Sequence, residues 1–501
     1  MHDFQLESYQ FPGYFRTLRR NWKRALLPGV TLAAYLTLLY LAYRSIDRML
    51  DMSVGKILLA LVNAALAVAG GWWCRSIFQQ KKAKKPFVVT MRVKRTYIVM
   101  GVVYTLLCTP IALLTKVYFC GLLPLLLPLW VALGGLLAWP IEKLVSEMYF
   151  RDAQKKLAAR PDIIKIGITG SYGKTSVKNF LEKMLSQKYE VLATPKSYNT
   201  PLGICEAVKK LDESHEIFIA EMGARRRGDI KTLCEIVKPD IGIITGICAQ
   251  HLETFGSLEN IKMAKNELID GLPVSGLAVF SSDSEETRDL YEKCDIPKML
   301  VGISGKEVRA ANVREDENGL KFDMIAEGKI YSVESGLHGR HNASNLCIAA
   351  AVALKSGVPI EKIFLAIRVM KNQPHRLTVT KNAVGITIID DGYNANEKSV
   401  ESAVETLSYF GGRRFVVTPG LVETGDKTAE MNERVGAVVS KYADEIIAVG
   451  KNAKYVLSGV KGRAKGVLVN NLKEAEEELK RSLKSGDAVL FLNDVPDKYG
   501  V

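Results

Sequence analysis

The stretch I-I-K-I-G-I-T-G-S-Y-G-K-T-S, residues 163–176, decides the fold of the larger part of this chain. Its first six residues form a short, mostly apolar run suited to a buried parallel strand. A glycine-rich turn follows, and residues 177–187 (V-K-N-F-L-E-K-M-L-S-Q) have the apolar spacing of a helix. A strand, a glycine-rich turn and a helix in this order are typical of a phosphate-binding loop.

The residue types of the turn fit that chemistry. The two glycines allow backbone amides to close around phosphate oxygens, Lys174 supplies a positive charge to the β- and γ-phosphates, and the Thr175 hydroxyl suits Mg²⁺. The usual spacing of such a loop places a glycine at position 168, where this chain has isoleucine after Gly167. The nucleotide-binding residues predicted in the loop are Gly170, Ser171, Gly173, Lys174, Thr175 and Ser176.

A second α/β unit is predicted from about residue 377 onward. Strands near 385–390, 413–418, 445–449 and 487–492 alternate with helical stretches, a pattern that implies a parallel sheet with helices on both faces. The sequence therefore predicts an α/β protein with a P-loop central domain over 161–373 and a smaller, Rossmann-like C-terminal domain over 374–501.

Upstream of the loop, four apolar stretches lie near 25–43, 54–74, 96–115 and 117–139. Each is about as long as a helix needs to be to cross the hydrocarbon core of a bilayer. They predict a transmembrane anchor of four helices over residues 1–140, followed by a charged helical linker over 141–160.

The formal net charge of +14 is unevenly distributed. Residues 1–160 carry 22 basic and 7 acidic residues, whereas the remaining 46 basic and 47 acidic residues nearly cancel. Because the basic excess lies beside apolar runs, it favours contact with anionic membrane lipid over nucleic acid. The charges of the loops then predict a multi-pass protein of the plasma membrane, with the catalytic domains in the cytoplasm.

The eight cysteines include no C-x-x-C pair and no regular spacing. A disulfide scaffold and a zinc site are therefore not expected. Reduced, mostly buried thiols fit a domain in a reducing compartment.

Seven segments, in order along the chain, resemble the Mur ligases of bacterial cell-wall synthesis, and the resemblance covers about residues 160–460. Within that family, A-x-H-L-E-x-F-G (249–256) and D-D-x-Y-N-A-N (390–396) are most similar to the branch that adds D-alanyl-D-alanine. The seven segments are G-I-T-G-S-Y-G-K-T-S (167–176), Y-N-T-P-L-G-I (198–204), E-I-F-I-A-E-M-G-A-R-R-R-G-D-I (216–230), 240–268, 336–354, P-H-R-L-T-V (374–379) and I-I-D-D-G-Y-N-A-N-E-K-S-V (388–400).

The resemblance implies roles for residues outside the loop. Glu221 and His251 would bind metal, and Lys265 would be carbamoylated and would hold a second Mg²⁺ ion. Asn345 would contact adenine, with Arg376 and Asp391 on the phosphate and ribose. The implied metal ligands are thus Thr175, Glu221, His251 and Lys265, and the implied catalytic residues are Lys174, His251 and Lys265.

The resemblance also implies an activity. ATP would phosphorylate a carboxylate, and the acyl phosphate would react with an amine to give an amide and ADP. The expected substrates are a carboxylate-bearing cell-wall precursor and an amino acid or dipeptide. The chain departs from the family in two places: membrane-like stretches replace the UDP-sugar-binding domain, and the C-terminal L-F-L-N-D-V-P-D-K-Y-G-V has no counterpart.

Two alternatives stay open at this point. A ligase that extends a polymer such as poly-γ-glutamate also resembles this family, and an inactive ATP-binding scaffold of the cell envelope would keep the fold. The D-D-x-Y-N-A-N segment favours cell-wall synthesis, and the retained metal ligands disfavour the scaffold. The sequence leaves open the two substrates, a lipid or UDP linkage, the oligomeric state and any partner enzymes of the envelope.

Overall fold

The structure is a computed structural model, and it describes residues 1, 4–5, 9–20, 22, 26, 88–115, 127–249, 252–392, 397–422, 424 and 427–492. The chain divides into two compact units, with the boundary between Glu147 and Met148. The first unit contains only helices among its described residues, and the second contains two β-sheets.

Among the described residues, three helices belong wholly or partly to the first unit: α1 (Phe11–Arg20), α2 (Met91–Thr115) and α3 (Leu127–Ala158). A small apolar cluster contains Phe4 and Tyr14 together with Val131 and Ala132 of α3. The Tyr14 hydroxyl donates a hydrogen bond to the Pro128 carbonyl at 2.9 Å. Aromatic side chains of the N-terminal segment thus pack against the first turns of α3.

The predicted multi-pass membrane location is wrong. The first two predicted spans, 25–43 and 54–74, lie almost entirely outside the described residues. Within the described part of the chain, one helix, Pro128–Ala158, is long and apolar enough to cross a membrane. That helix joins the end of the fourth predicted span and the predicted linker, so the predicted boundary at 140 falls inside α3.

Two of the basic residues that predicted the orientation, Arg92 and Arg95, have an acidic partner inside the protein. Arg95 Nε lies 2.6 Å from Glu142 Oε1, and Arg92 Nε lies 3.8 Å from Glu142 Oε2. The Arg92 guanidinium also stacks on the Tyr9 ring, 4.0 Å from its centroid. Because Glu142 is buried, these charges stabilise the packing of α2 on α3 and are a poor guide to membrane orientation.

In the second unit, the larger sheet has nine strands in the order β2-β3-β1-β4-β5-β6-β7-β8-β9. Strands β1 to β6 pair in parallel, whereas β7, β8 and β9 form an antiparallel meander at one side. The strands are β1 (Ile164–Thr169), β2 (Val191–Ala193), β3 (Ile217–Glu221), β4 (Ile241–Ile244), β5 (Leu277–Ser281), β6 (Lys298–Gly302), β7 (Val308–Asp316), β8 (Gly319–Ala326) and β9 (Lys329–Ser335).

Helices cover this sheet. They are α4 (Lys174–Leu185), α5 (Pro201–Val208), α6 (Asp229–Val237), α7 (Leu252–Phe255), α8 (Leu258–Asp270), α9 (Glu285–Lys293), α10 (His341–Lys355) and α11 (Ile360–Arg368). The main core forms where α4 and α10 pack on each other and on the sheet. Twelve consecutive residues of α10, from Asn342 to Ala353, are buried, and many are alanine. Small side chains allow this close approach of the two helices.

The smaller sheet has six strands in the order β10-β11-β15-β12-β13-β14 and is parallel except for β10. Its strands are β10 (Thr378–Lys381), β11 (Thr387–Asp391), β12 (Arg414–Thr418), β13 (Glu445–Val449), β14 (Lys465–Val469) and β15 (Ala488–Leu492). Its helices are α12 (Glu397–Ser408), α13 (Thr428–Val439), α14 (Ala453–Ser458) and α15 (Leu472–Ser482).

The predicted α/β class with two sheet domains is confirmed. The four predicted C-terminal strands correspond to β11, β12, β13 and β15. The sequence analysis missed β10 and β14, which are the edge strands and are largely exposed. Edge strands need no continuous apolar run, so their sequences give a weaker signal. The predicted boundary at residue 373 lies between the two sheets and stays a prediction.

Helices α13 and α14 approach so closely at Gly436 that a larger residue does not fit. A Cβ atom at this position would lie 1.9 Å from the backbone oxygen of Val456. We expect Gly436→Ala to lower the free energy of unfolding by about 1–3 kcal/mol, because backbone must move to accept the methyl group. Urea denaturation measures this change.

Gly411 provides the matched control, since a Cβ atom there would meet nothing within 4 Å. Gly411→Ala should leave stability unchanged or raise it by up to about 1 kcal/mol. Equal stability of the two variants would contradict the close packing of α13 on α14.

Candidate active site

The predicted phosphate-binding loop connects β1 to α4. Gly170 and Gly173 have φ values of +150° and +79°, which favour glycine. A Cβ atom on Gly170 would lie 2.2 Å from Thr245 Oγ1, so the loop also needs glycine for space. The Ser171 amide donates to the Gly246 carbonyl at 2.7 Å, and the Ser171 hydroxyl accepts from the Cys248 amide at 3.2 Å. The loop is therefore tied to the segment after β4.

Lys174 is the first residue of α4, and its side chain turns back over the loop. Its Nζ donates to the Gly170 carbonyl at 2.5 Å and to the Ser171 carbonyl at 3.2 Å. Desolvation lowers the pKa of Lys174, and the negative charge of Glu221 opposes that shift. Thr175 and Ser176 follow on the first turn of α4, so all six predicted loop residues lie within the segment 170–176 at the N-terminus of a helix, where anions bind well.

Glu221 is the last residue of β3 and is 1% exposed. Its Oε1 accepts a hydrogen bond from Asn199 Nδ2 at 3.1 Å. Its Oε2 accepts no hydrogen bond, although Lys178 Nζ lies 3.2 Å away. The register Ile168↔Glu221 places this carboxylate beside the start of the loop. A buried carboxylate oxygen next to a phosphate-binding loop fits a magnesium ligand.

Lys265 lies on α8 and is 3% exposed. Burial, together with the positive charge of Lys174, lowers the pKa of its amine to about 7. His251, the other predicted ligand of the second metal, lies outside the described residues. Within the described part of the chain, no three His, Cys, Asp or Glu side chains group as a metal site.

Arg376, which precedes the first strand of the smaller sheet, contacts the phosphate-binding loop. Its Nη2 donates to Thr175 Oγ1 at 3.4 Å. The flanking His375 and Leu377 have φ values of +61° and +50°, a conformation that costs about 1–3 kcal/mol per non-glycine residue. His375 Nδ1 lies 2.7 Å from Asp390 Oδ2, and the Leu377 amide donates to Asp391 Oδ1 at 3.2 Å. The two aspartates at the end of β11 thus hold the strained turn that presents Arg376.

The predicted adenine contact, Asn345, lies on α10 beneath the loop. A Cβ atom on Gly173 would lie 2.9 Å from Asn345 Oδ1, and Asn345 Nδ2 donates to Asn342 Oδ1 at 3.1 Å. Asn342 in turn donates to the His338 carbonyl at 2.7 Å. The structure therefore places Asn345 against the loop itself; a role in binding adenine stays a prediction.

A polar contact surface, formed by Glu315, Gly339 and Arg340 on one side and Glu405 and Thr406 on the other, joins the two sheet domains. Glu315 Oε1 accepts hydrogen bonds from the Thr406 hydroxyl and the Gly339 amide, both at 2.9 Å. Arg340 Nη1 lies 3.3 Å from Glu405 Oε1. The meander β7–β9 supplies Glu315, so this added part of the larger sheet helps to orient the second domain.

Sequence reasoning missed Lys178, Asn199 and Glu315. Lys178 lies four residues after Lys174 on α4, a spacing that places both on one face of the helix and could have drawn attention to it. Asn199 lies within a segment that resembles the family but carried no assigned role. Nothing in the local sequence marks Glu315, because its partners are 24 and 91 residues away.

Comparisons with known proteins show which family the two sheet domains resemble. Residues 168–353 match the Mur ligase middle domain, and residues 375–492 match the glutamate ligase domain of Mur ligases. The UDP-N-acetylmuramoyl-tripeptide--D-alanyl-D-alanine ligase of Escherichia coli is 28% identical over 292 residues, which are 58% of this chain and 65% of that enzyme. The ligase of the same name from Buchnera aphidicola is 30% identical over 332 residues, covering 65% of this chain and 71% of that enzyme.

Among solved structures, the MurF ligase from Thermotoga maritima in complex with ADP is similar, with a TM-score of 0.64 and 25% identity. The match covers 70% of this chain and 80% of that chain. A P-loop at the carboxyl edge of a parallel sheet, reached by an arginine of a second α/β domain, defines a nucleotide-dependent two-domain enzyme. The chain belongs to the Mur ligase family of ATP-dependent ligases, which form amide bonds.

The buried carboxyl group of Asp391 makes the stability depend on pH. Burial raises its pKa to about 7, whereas an aspartate in an unfolded chain titrates near about 3.9. Between these values the folded state binds the proton and the unfolded state does not, so this contribution to stability is lost as the pH rises towards 7.

We therefore expect the wild type to lose about 2–3 kcal/mol of unfolding free energy, relative to Asp391→Asn, as the pH rises from 5 to 7. The estimate uses about 1.4 kcal/mol for each unit of pH over which only the unfolded state is ionised. Asparagine keeps an oxygen to accept from the Leu377 amide but has no proton to lose. Urea denaturation at several pH values measures the difference. A difference that does not change with pH would show that Asp391 titrates normally.

Proposed function

We propose that this chain uses ATP to join a carboxylate to an amine during the synthesis of a peptidoglycan-type precursor. The observation that carries the proposal is the convergence of four elements at the loop: Lys174 and Thr175 on α4, Glu221 on β3, Lys265 on α8 and Arg376 before β10. This set combines cationic groups for phosphate with oxygen ligands for a metal.

The reaction follows from the chemistry of a carboxylate, which is a poor electrophile at neutral pH. An oxygen of the substrate carboxylate attacks the γ-phosphorus of ATP, the bond to the β-γ bridging oxygen breaks, and ADP leaves. The amine nitrogen then attacks the acyl carbon, phosphate leaves, and the nitrogen loses a proton. Lys174 and Arg376 stabilise the charge on the transferred phosphoryl group, because both lie at the loop that binds it.

The residues fit a magnesium ion beside the loop. Glu221 offers a buried oxygen that accepts no hydrogen bond, and Thr175 offers a hydroxyl. Both are hard oxygen ligands, the type that Mg²⁺ prefers. Magnesium would supply charge neutralisation for the phosphate oxygens.

Lys265 fits the predicted carbamoylation. An amine must lose its proton before its nitrogen can bond to the carbon of CO₂, and a pKa of about 7 leaves much of this amine neutral near pH 7. The resulting carbamate is anionic, so it replaces a buried positive charge with an oxygen ligand. We infer that this carbamate, together with His251, holds the second magnesium ion.

The names of the relatives suggest the substrates to try first, namely a UDP-N-acetylmuramoyl-tripeptide and D-alanyl-D-alanine. The test is ADP release by the full chain with each substrate alone and with both together. ADP release that requires both, with formation of the pentapeptide product, supports the proposal. Release with glutamate or poly-γ-glutamate instead would indicate a polymer ligase, and no release with any pair would indicate an ATP-binding scaffold.

Lys174→Ala should lower the rate of ADP formation by about a thousandfold or more, since phosphate-clamping cations contribute on that scale to phosphoryl transfer. Lys183→Ala is the matched control, because Lys183 is an exposed lysine on the same helix. Its rate should equal that of the wild type. Normal turnover by folded Lys174→Ala protein would rule out the assigned role of the loop.

Lys265→Ala should fold but lose most ligase activity at limiting magnesium, because the anionic ligand of the second ion is gone. Added acetate or formate should restore part of the rate by placing a carboxylate in the space left by the side chain. Mass spectrometry of the intact wild-type protein in bicarbonate, under mild conditions, should show one added CO₂. A variant as active as the wild type would leave Lys265 as an ordinary buried lysine.

A further inference from the structure

Lys178 is a buried lysine to which the mechanism above gives no role. It is 1% exposed, and its Nζ donates to the Thr194 carbonyl at 2.8 Å and to the Lys196 carbonyl. The same Nζ lies 3.2 Å from Glu221 Oε2, the oxygen that accepts no hydrogen bond. Two carbonyl oxygens therefore accept hydrogen bonds from this ammonium group, and the Glu221 carboxylate forms an ion pair with it.

The backbone around Lys178 is arranged to receive it. Lys196 has a φ of +50°, an uncommon conformation for a residue with a side chain, and this turn directs its carbonyl at the buried ammonium. Thr194 also fixes the other partner, because its hydroxyl accepts from the Glu221 amide at 3.0 Å. The segment after β2 thus supports a buried ion pair.

Most charges near Glu221 are positive. Lys178 pairs with Glu221 directly, Lys174 and Glu221 act on each other electrostatically, and the charge of Arg376 acts on Lys174. A divalent cation on Glu221 would therefore meet net positive charge unless a polyphosphate supplied the balancing anion.

We propose that Lys178 is a positioning residue that serves as the counter-ion of Glu221 and thereby makes metal binding at this carboxylate depend on bound nucleotide. The inference rests on the proposed role of Glu221 as a magnesium ligand. Lys178 stabilises the ionised carboxylate while no nucleotide is bound, and its charge repels a metal ion that arrives alone. The triphosphate brings enough negative charge to offset Lys178, so metal and nucleotide bind together.

The test separates the charge of Lys178 from its hydrogen bonds. Lys178→Met removes the charge, Lys178→Arg keeps it, and Asn199→Ala removes the other contact of Glu221 without changing any charge. Lys183→Met removes a charge from an exposed position of the same helix. Manganese serves as the metal probe, and electron paramagnetic resonance of free Mn²⁺ gives the affinity with and without a non-hydrolysable ATP analogue.

The wild type should bind Mn²⁺ much more tightly with the nucleotide than without it. Lys178→Met should raise the nucleotide-free affinity by about tenfold or more, within the usual range of coupling between two sites. Lys178→Arg, Asn199→Ala and Lys183→Met should show no such rise. A merely structural role for Lys178 would lower thermal stability and leave the nucleotide-free affinity unchanged or weaker, and that result would overturn the proposal.

Three further outcomes of this experiment have defined consequences. If Lys178→Met does not fold, Lys178→Gln replaces it, because glutamine removes the charge and keeps a donor for the Thr194 or Lys196 carbonyl. If the wild type binds no Mn²⁺ even with nucleotide, the assignment of Glu221 fails and the inference fails with it. The wild type could instead bind Mn²⁺ with nucleotide while Lys178→Met and the wild type have equal affinities for Mn²⁺ without nucleotide. In that case Glu221 keeps its assignment and only the inference about Lys178 is wrong.

Discussion

The parallel pairing of β1 with β3 and β4 is the constraint on which the rest of the site depends. In parallel strands the carboxyl ends meet at one edge, so the loop after β1, the carboxylate at the end of β3 and Thr245 after β4 lie together. The loop then needs glycine at Gly170, because Thr245 occupies the space beside it. Backbone pairing thus fixes the positions of the functional groups before any side chain contributes.

The sequence was a good guide to structure that is formed by contiguous residues. A strand, a turn and a helix within residues 163–187 predicted the loop, and apolar runs predicted the buried strands of the second sheet. It was a poor guide to contacts between distant segments. Lys178 donates to carbonyls 16 and 18 positions along the chain and pairs with a carboxylate 43 positions along, and no local pattern indicates that its charge will be buried.

The charge argument behind the incorrect membrane prediction failed for the same reason, whereas the predicted spans themselves came from apolar runs. Positive charge beside apolar residues has two physical explanations, attraction to anionic lipid and pairing with an acid elsewhere in the protein. Arg95 pairs with Glu142, which lies 47 residues further along. Counting charges cannot distinguish the two explanations. Here a single buried carboxylate, Glu142, binds two arginines, so the charges of Arg92 and Arg95 give no information about membrane orientation.

The polar contact surface between the sheet domains has a consequence for how this chain can diverge. The hydrogen bond from Thr406 to Glu315, the pair of Arg340 with Glu405 and the bond between His341 and Ser402 are polar. Beside them, the rings of His338 and Phe410 lie 6.0 Å apart. The cores of the two domains are separate. Each domain can therefore accumulate substitutions in its own core independently, and recombination could exchange one domain for another as long as these partners and the contact of Arg376 with Thr175 are preserved.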